Sequence, residues 1–351
     1  MSDLAPPITI GGVEIPAGER RTIEIPVARL PTAADLSMPV HVVRGKKEGP
    51  SLFVSAAVHG DEINGVEIVG RLLRMRVLEK IRGTLIAVPV VNGFGFSGYS
   101  RYLPDRRDLN RSFPGSERGS LAARLAHIFM TEVVAKATHG IDLHTGAQHR
   151  TNLPQLRVTD GDRAALAMAK HFGALVVLKS EVRDGSLRAA TAERKVPIIV
   201  YEGGEALRFD EWAIRAGLRG VLATMHYLDM LPTRREAPRP LREPIVTSSS
   251  HWIRAPAGGI LRSRASLGAR VAKGDAIATI GDAYGHEPVP VLAPHEAIVI
   301  GMTQLPVVNE GDALFHIVPL GRFSRATLET FEAFQAEIQS PHHDPEEPRG
   351  W

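Results

Sequence analysis

Residues 51–58 read Ser-Leu-Phe-Val-Ser-Ala-Ala-Val, a run with no charge and nothing more polar than a serine hydroxyl. A strand with one wet face alternates polar and apolar residues, so a run that is apolar almost throughout needs both faces covered. A second such run, Thr-Leu-Ile-Ala-Val-Pro-Val-Val, occupies residues 84–91. Between them, residues 65–81 place Val66, Val69, Leu72, Leu73 and Val77 near one stripe of a helix. The alternation continues with a helix over 121–137, a short strand at 140–143, strands at 174–178 and 197–201, and a helix over 211–228. This is the pattern of an α/β domain with a largely parallel sheet and helices on its faces.

The character changes at residues 232–244, where four prolines and four arginines suppress regular structure and mark a domain boundary. Beyond it lies an internal repeat. Ala255-Pro256 is followed by Val271 and by Gly274-Asp275-Ala276-Ile277-Ala278-Thr279-Ile280; Ala293-Pro294 is followed by Val308 and by Gly311-Asp312-Ala313-Leu314-Phe315-His316-Ile317. Two copies of an Ala-Pro start, a Gly-Asp turn and an alternating strand predict a small β domain built by duplication, resembling the barrel-sandwich (biotinyl/lipoyl-like) fold. Lys273 precedes the Gly-Asp turn rather than sitting at a hairpin tip beside Met, so a carrier role is rejected in favour of a structural or capping module. The expected organisation is a hydrolase domain over 1–234 that includes an N-terminal β segment, a β domain over 245–320, a helix over 321–339 and a disordered tail over 340–351. His342 and His343 in that tail read as solvated residues.

With 351 residues, 44% hydrophobic and 23% charged, the chain suits a soluble two-domain protein. It has no cysteine, which removes disulfides, thiolate nucleophiles and sulfur ligands, so any metal must sit on imidazole and carboxylate. No window offers the roughly 18 apolar residues a membrane span needs, and the first residues carry neither a basic start nor an apolar core of a secretory signal. Net charge is only +3 and aromatics are 5%, with the densest basic cluster, Arg234-Arg235 and Arg239 to Arg242, in the Pro-rich stretch. The expectation is a cytoplasmic protein that binds neither nucleic acid nor membrane, with room for a homo-oligomer.

Four motifs carry chemistry. Val58-His59-Gly60-Asp61-Glu62 directly follows the first apolar run, at the strand end where α/β sheets bind ligands; a His and a Glu three residues apart can converge on one ion. Ile141-Asp142-Leu143-His144-Thr145-Gly146 again ends a strand in a His. Two such imidazoles and one carboxylate are three protein ligands with a position left for water, the catalytic arrangement for zinc. Arg107-Asp108-Leu109-Asn110-Arg111-Ser112-Phe113-Pro114-Gly115 lies in the long loop between them, and loops of that length tend to be functional. Ile198-Ile199-Val200-Tyr201-Glu202-Gly203-Gly204-Glu205 ends a strand in an acid suited to move a proton. Glu202 is preferred over Glu205 because it sits at the strand terminus, before two glycines.

In this order the four pieces resemble the succinylglutamate desuccinylase/aspartoacylase branch of the zinc carboxypeptidase-like superfamily, over residues 51–228. The resemblance implies a carboxypeptidase-like mixed sheet flanked by helices, with the small β domain partly covering the active-site mouth. It implies one zinc ion per chain held by His59, Glu62 and His144, Glu202 as general base and acid, and Asn110 and Arg111 on a substrate carboxylate. Asp108 would hydrogen-bond the free nitrogen of His59, and Arg101 would polarise the scissile carbonyl, although Arg106 and Arg107 lie nearer the Asn-Arg pair. Arg150, Arg157 and Arg188 are alternatives for meeting an acidic acyl group, while Tyr201 and Tyr284 have no assigned role. His139, His149 and His171 are ordinary packing or surface residues. The reaction expected is hydrolysis of the amide bond of a small N-acyl amino acid. The alternatives are a carboxypeptidase acting on short peptides, a deacetylase or esterase of another small molecule, and a metal-binding sensor without turnover.

Overall fold

The computed structural model describes residues 4–232 and 244–320. The Arg-rich cluster at 234–242, the helix expected over 321–339 and the tail at 340–351 lie outside the described residues. Along the chain, a hairpin of β1 (Ile8–Ile10) and β2 (Val13–Ile15) precedes β3 (Arg20–Arg29), β4 (Asp35–Arg44) and β5 (Lys47–Ala56). Next come α1 (Asn64–Arg74), β6 (Arg82–Val88), α2 (Gly93–Ser97), α3 (Leu121–Glu132), β7 (His139–Gly146), β8 (Arg150–Thr159) and α4 (Arg163–Phe172). They are followed by β9 (Val176–Ser180), α5 (Leu187–Glu193), β10 (Ile198–Glu205) and α6 (Glu211–Tyr227). The C-terminal region is all strand: β11 (Ile245–Thr247), β12 (His251–Arg254), β13 (Gly259–Ser263), β14 (Arg270–Val271), β15 (Ala276–Gly281), β16 (Val289–Leu292), β17 (Ala297–Thr303), β18 (Val307–Val308) and β19 (Ala313–Pro319).

The central sheet runs β8-β10-β7-β5-β6-β4-β3. Strands β10, β7, β5 and β6 are mutually parallel, and β8, β4 and β3 join antiparallel, so the sheet is mixed. The period-2 alternation of β5 divides its side chains between two cores. Leu52, Val54 and Ala56 face α1, α4 and α6, whereas Phe53 faces α3, α5 and the N-terminal strands. Phe53 fits because its register partner on β7 is Gly140, where an added Cβ would lie 2.3 Å from the ring.

Three element boundaries depart from the sequence pattern for visible reasons. The helix expected to reach residue 81 ends at Arg74, because Met75 turns extended (φ −75°, ψ 129°) and a separate 3-10 turn, Arg76–Lys80, carries Leu78 into the core. The strand expected to reach residue 91 ends at Val88, before Pro89, which has no N–H to continue the ladder. The strand of the first apolar run ends at Ala56, and the φ of 48° at Ala57 turns the chain out of the sheet just before His59.

In the C-terminal region the two repeats interlock. Ala255 N–H donates to Asp312 O (2.8 Å) and Gly311 N–H to Ala255 O (2.9 Å); Ala293 N–H donates to Asp275 O (2.9 Å) and Gly274 N–H to Ala293 O (2.8 Å). Each copy's Ala-Pro start therefore closes the other copy's Gly-Asp turn, and both turns need the left-handed backbone of Gly274 (φ 90°) and Gly311 (φ 85°). The region continues the main sheet rather than hanging from it. β17 pairs with the start of β8 through Gly301↔Asn152, and β11 adds in parallel to β9.

Candidate active site

His59, Glu62 and His144 converge. Each offers a ligand atom, all within 4.8 Å of one another, and all three residues are buried. The turn after Ala57 returns the chain so that Glu62 N–H donates to His59 O, and α1 starts at Asn64. Asn64 pins that start to the far end of β10, donating to Gly203 O and accepting from Asp210 N–H. Gly60 has no freedom to carry a side chain: a Cβ there would meet the backbone of Gly95 and Phe96 at 2.0–2.1 Å. His144 projects from β7, the strand between β5 and β10, so the sheet order itself brings residues 82 positions apart together.

The hydrogen bonds orient both rings the same way. His59 Nδ1 lies 2.8 Å from Glu62 Oε1 and His144 Nδ1 2.7 Å from Glu62 Oε2. The opposite nitrogens meet carboxylates: His59 Nε2 is 3.1 Å from Asp108 Oδ1, and His144 Nε2 is 2.7 Å from Asp142 Oδ2. Asp142 is steadied in turn by the Ser55 hydroxyl, and Glu62 Oε2 also accepts from Thr145 N–H. Arg101 spans the group, its guanidinium donating to Asp108 Oδ2 (2.9 Å) and to Glu62 Oε1 (3.2 Å).

The electrostatics show what the group lacks. Burial alone would lower both imidazole pKa values, yet Glu62 and Asp108 raise that of His59, and Asp142 and Glu62 raise that of His144 well above its ordinary value. Burial would raise the Glu62 and Asp108 carboxyls, but the imidazoles, and Arg101 for Asp108, hold both well below the usual carboxylate range. With neutral imidazoles, the three carboxylates of Glu62, Asp108 and Asp142 against the one guanidinium of Arg101 leave a charge of −2. A divalent cation would balance that charge, and nitrogen and oxygen donors backed by outer carboxylates suit zinc. The residues present fit the ion that their chemistry implies.

Glu202 stands one strand over. It is the register partner of His144 on the same sheet face, about 5 Å away between strand backbones. Its Oε2 accepts from Asn152 Nδ2 (2.9 Å), and its Oε1 is 3.0 Å from Arg157 Nε. That distance is an ion pair without hydrogen-bond alignment, since the buried Arg157 Nε has no hydrogen-bond partner. Glu205 is taken up in a loop contact, accepting from His149 N–H.

Asn110 Oδ1 accepts from Leu187 N–H at the start of α5, which leaves its amide nitrogen as the free donor. Arg111 is exposed beside it. Their loop is anchored by the buried Leu103, Leu109 and Phe113. Arg106 and Arg107 are exposed, Arg107 at 3.8 Å from Asp105, and Arg101 is the arginine of this loop seen donating to the ligand group. Arg150 lies over Trp252 (5.1 Å to the ring centroid), and Arg188 is buried on Ser180 Oγ and Glu181 O. Tyr201 is fully buried and donates to Ala213 O, while Tyr284 is 88% exposed in the C-terminal region. His139, His149 and His171 sit apart from it, on Thr138, in the loop with Glu205, and stacked on Tyr227. Sequence reasoning assigned no role to Asp142, Asn152 or Thr145. Asp142 was within reach of a period-2 argument, because it lies two residues before His144 on one strand.

The profile of the succinylglutamate desuccinylase/aspartoacylase catalytic domain matches residues 48–228, just over half of the chain. The chain belongs to the succinylglutamate desuccinylase/aspartoacylase family. As a member it is a hydrolase of carbon–nitrogen bonds other than peptide bonds. A curated relative, the N-alpha-acetyl-L-2,4-diaminobutyric acid deacetylase of Halomonas elongata, is 28% identical over 290 residues, 79% of this chain and 84% of that protein. Two solved members share the fold. The product-bound ectoine utilization protein EutE (DoeB) of Ruegeria pomeroyi has a TM-score of 0.77 at 23% identity, covering 91% of this chain and all of that one. A Rhodobacter sphaeroides member has a TM-score of 0.75 at 24% identity, covering 85% and 95%. The family fold includes both the mixed sheet and the antiparallel C-terminal region. No helix among the described residues is long and apolar enough to cross a membrane.

Proposed function

We propose that this family member is a zinc-dependent amidohydrolase that cleaves the amide bond of a small N-acyl amino acid, with one zinc per chain on His59, Glu62 and His144. The observation that carries the reading is the convergence of these three buried ligands beside Glu202, the strand partner of His144. When bound, zinc supplies Lewis-acid activation of water and of the acyl carbonyl. The chain's own residues supply the rest. Glu202 takes the proton of the attacking water and delivers it to the departing nitrogen. Arg101, aimed at the ligand group, donates to the oxygen that gains negative charge; losing such a donor commonly costs on the order of 100-fold in rate. Asn110 and Arg111 bind the amino acid's carboxylate, Arg111 as a planar fork matched to it. Asp108 and Asp142 hold the imidazoles in one tautomer and orientation.

The deacetylase relative acts on an acetylated amino acid with a second amine, so N-acetyl-L-2,4-diaminobutyrate heads the substrate panel. N-succinyl and N-acetyl derivatives of acidic and neutral amino acids, short peptides and simple acetate esters complete it. The zinc-loaded protein is expected to release amino acid from at least one N-acyl substrate, and Glu202→Gln to retain zinc and lose turnover. His59→Ala or His144→Ala is expected to lose the metal. Hydrolysis confined to peptides or esters, or full turnover by Glu202→Gln, would refute the reading. The expected cytoplasmic location rests on the same soluble-enzyme reading and is tested by fractionation.

A further inference from the structure

Neither side chain that holds Glu202 belongs to a motif of the active site. Both come from β8, the strand that joins the catalytic sheet to the C-terminal region. β8 runs antiparallel to β10 with Gln155 opposite Glu202 and Arg157 opposite Val200, so Gln155, Arg157, Val200 and Glu202 share one sheet face. Arg157 reaches Oε1 and Asn152 reaches Oε2, and the two oxygens of the carboxylate are each engaged from the same side. Glu202 lies within β10, where the register shifts against both neighbouring strands before Gly203 and Gly204.

The outer edge of β8 is held by β9 from Gln155 to Thr159 and by β17 from Arg150 to Asn152. Gly301 is the register partner of Asn152, and Gln155 Nε2 donates to Ile300 O at 3.1 Å. The approach at Gly301 is close: an added Cβ would lie 2.9 Å from Asn152 Oδ1, with His316 Cβ 3.3 Å away on the other side. The amide of Asn152 is thereby confined between the C-terminal region and Glu202. From this geometry we infer that Asn152 and Arg157 are positioning residues for Glu202, and that strand β17 of the C-terminal region holds Asn152 in place, so the β region seats the base. The inference rests on the proposed role of Glu202.

Positioning predicts a loss in the chemical step and not in binding. The zinc-loaded full chain is assayed on whichever N-acetyl or N-succinyl amino acid the wild type turns over fastest. Arg157→Met and the nearly isosteric Asn152→Asp, which sets a second carboxylate against Oε2, are expected to lower kcat roughly 10- to 100-fold, with KM within about 3-fold, because misplacing a reacting group by about 1 Å commonly costs on this scale. Arg157→Lys is expected to recover most of the loss. Gly301→Ala, remote from the ligand group, is expected to lower kcat about 5-fold with KM unchanged. In a Glu202→Gln background the same substitutions are expected to cost nothing further, the non-additivity of groups acting through one residue.

A loss expressed in KM alone would overturn the inference by making Asn152 and Arg157 substrate contacts. Wild-type kcat in Asn152→Asp or in Gly301→Ala would overturn it too, as would losses that add fully to Glu202→Gln. If Arg157→Met does not fold, Asn152→Asp and Gly301→Ala decide. An active Glu202→Gln sinks the base assignment itself, whereas an inactive one beside unaffected Asn152 and Gly301 variants sinks only the positioning.

Discussion

Replacing His316 with Phe is expected to make the protein more resistant to mild acid. His316 lies on β19 with 6% of its surface exposed, its ring stacked on Trp252 at 4.9 Å and 8°. Burial, then the positive charge of Arg157, then His251, push its pKa down to about 3 from the ordinary 6.5. The folded state therefore refuses a proton that the unfolded chain accepts throughout the interval between those values. Where the unfolded state binds more protons, stability rises with pH; the contribution is complete above about 6.5 and is lost as the pH falls. At pH 5 the unfolded chain sits 1.5 pH units below its own pKa, and each unit is worth about 1.4 kcal/mol, so this one side chain costs about 2 kcal/mol. His316→Phe keeps an aromatic ring against Trp252 and removes the titration. Urea unfolding of both proteins at pH 7 and pH 5 measures it: the wild type should lose about 2 kcal/mol more than the variant on acidification. Equal losses would show that His316 takes up its proton without unfolding, and that its burial against Trp252 does not oppose the charge.

Asp142→Asn should weaken zinc affinity by roughly 10- to 100-fold, read by chelator competition, since it removes the carboxylate that orients His144; unchanged affinity would mean the ring is held by packing alone. Gly60→Ala should lower the urea midpoint by the equivalent of about 3 kcal/mol or more, because the added Cβ meets backbone atoms of α2 that cannot yield as a side chain would. A midpoint within error of wild type would show that α2 moves freely. Arg111→Ala should raise KM for N-acyl amino acids at least about 10-fold while leaving hydrolysis of the matching carboxamide unchanged, the pattern of a lost charge-assisted contact. Equal effects on both substrates would detach Arg111 from the carboxylate.

The site was legible to the extent that its ligands sit where strand ends must put them. His59 and His144 each follow an apolar run, which marks both runs as interior strands; that β5 and β7 are neighbours, so that their ends converge, comes from the sheet order. The repeat after residue 244 was legible as a duplication, but not the exchange by which Ala255 and Ala293 close each other's turns. Arg101 could not be separated from Arg106 and Arg107 by sequence spacing. The loop's three anchors, Leu103, Leu109 and Phe113, and its turn at Arg106 (φ 62°) decide which guanidinium faces inward.

What the amino-acid order determined alone was local: which segments must be strands covered on both faces, and which residue types wait near their ends. These follow from the period of apolar side chains and from the few backbone states open to each residue. Tertiary structure alone decided the partners. Asn152 and Arg157 on Glu202, and β17 against β8, depend on strand order and register across separations of up to 153 residues. Register is set by how two whole faces pack, a collective property that no single stretch of sequence carries.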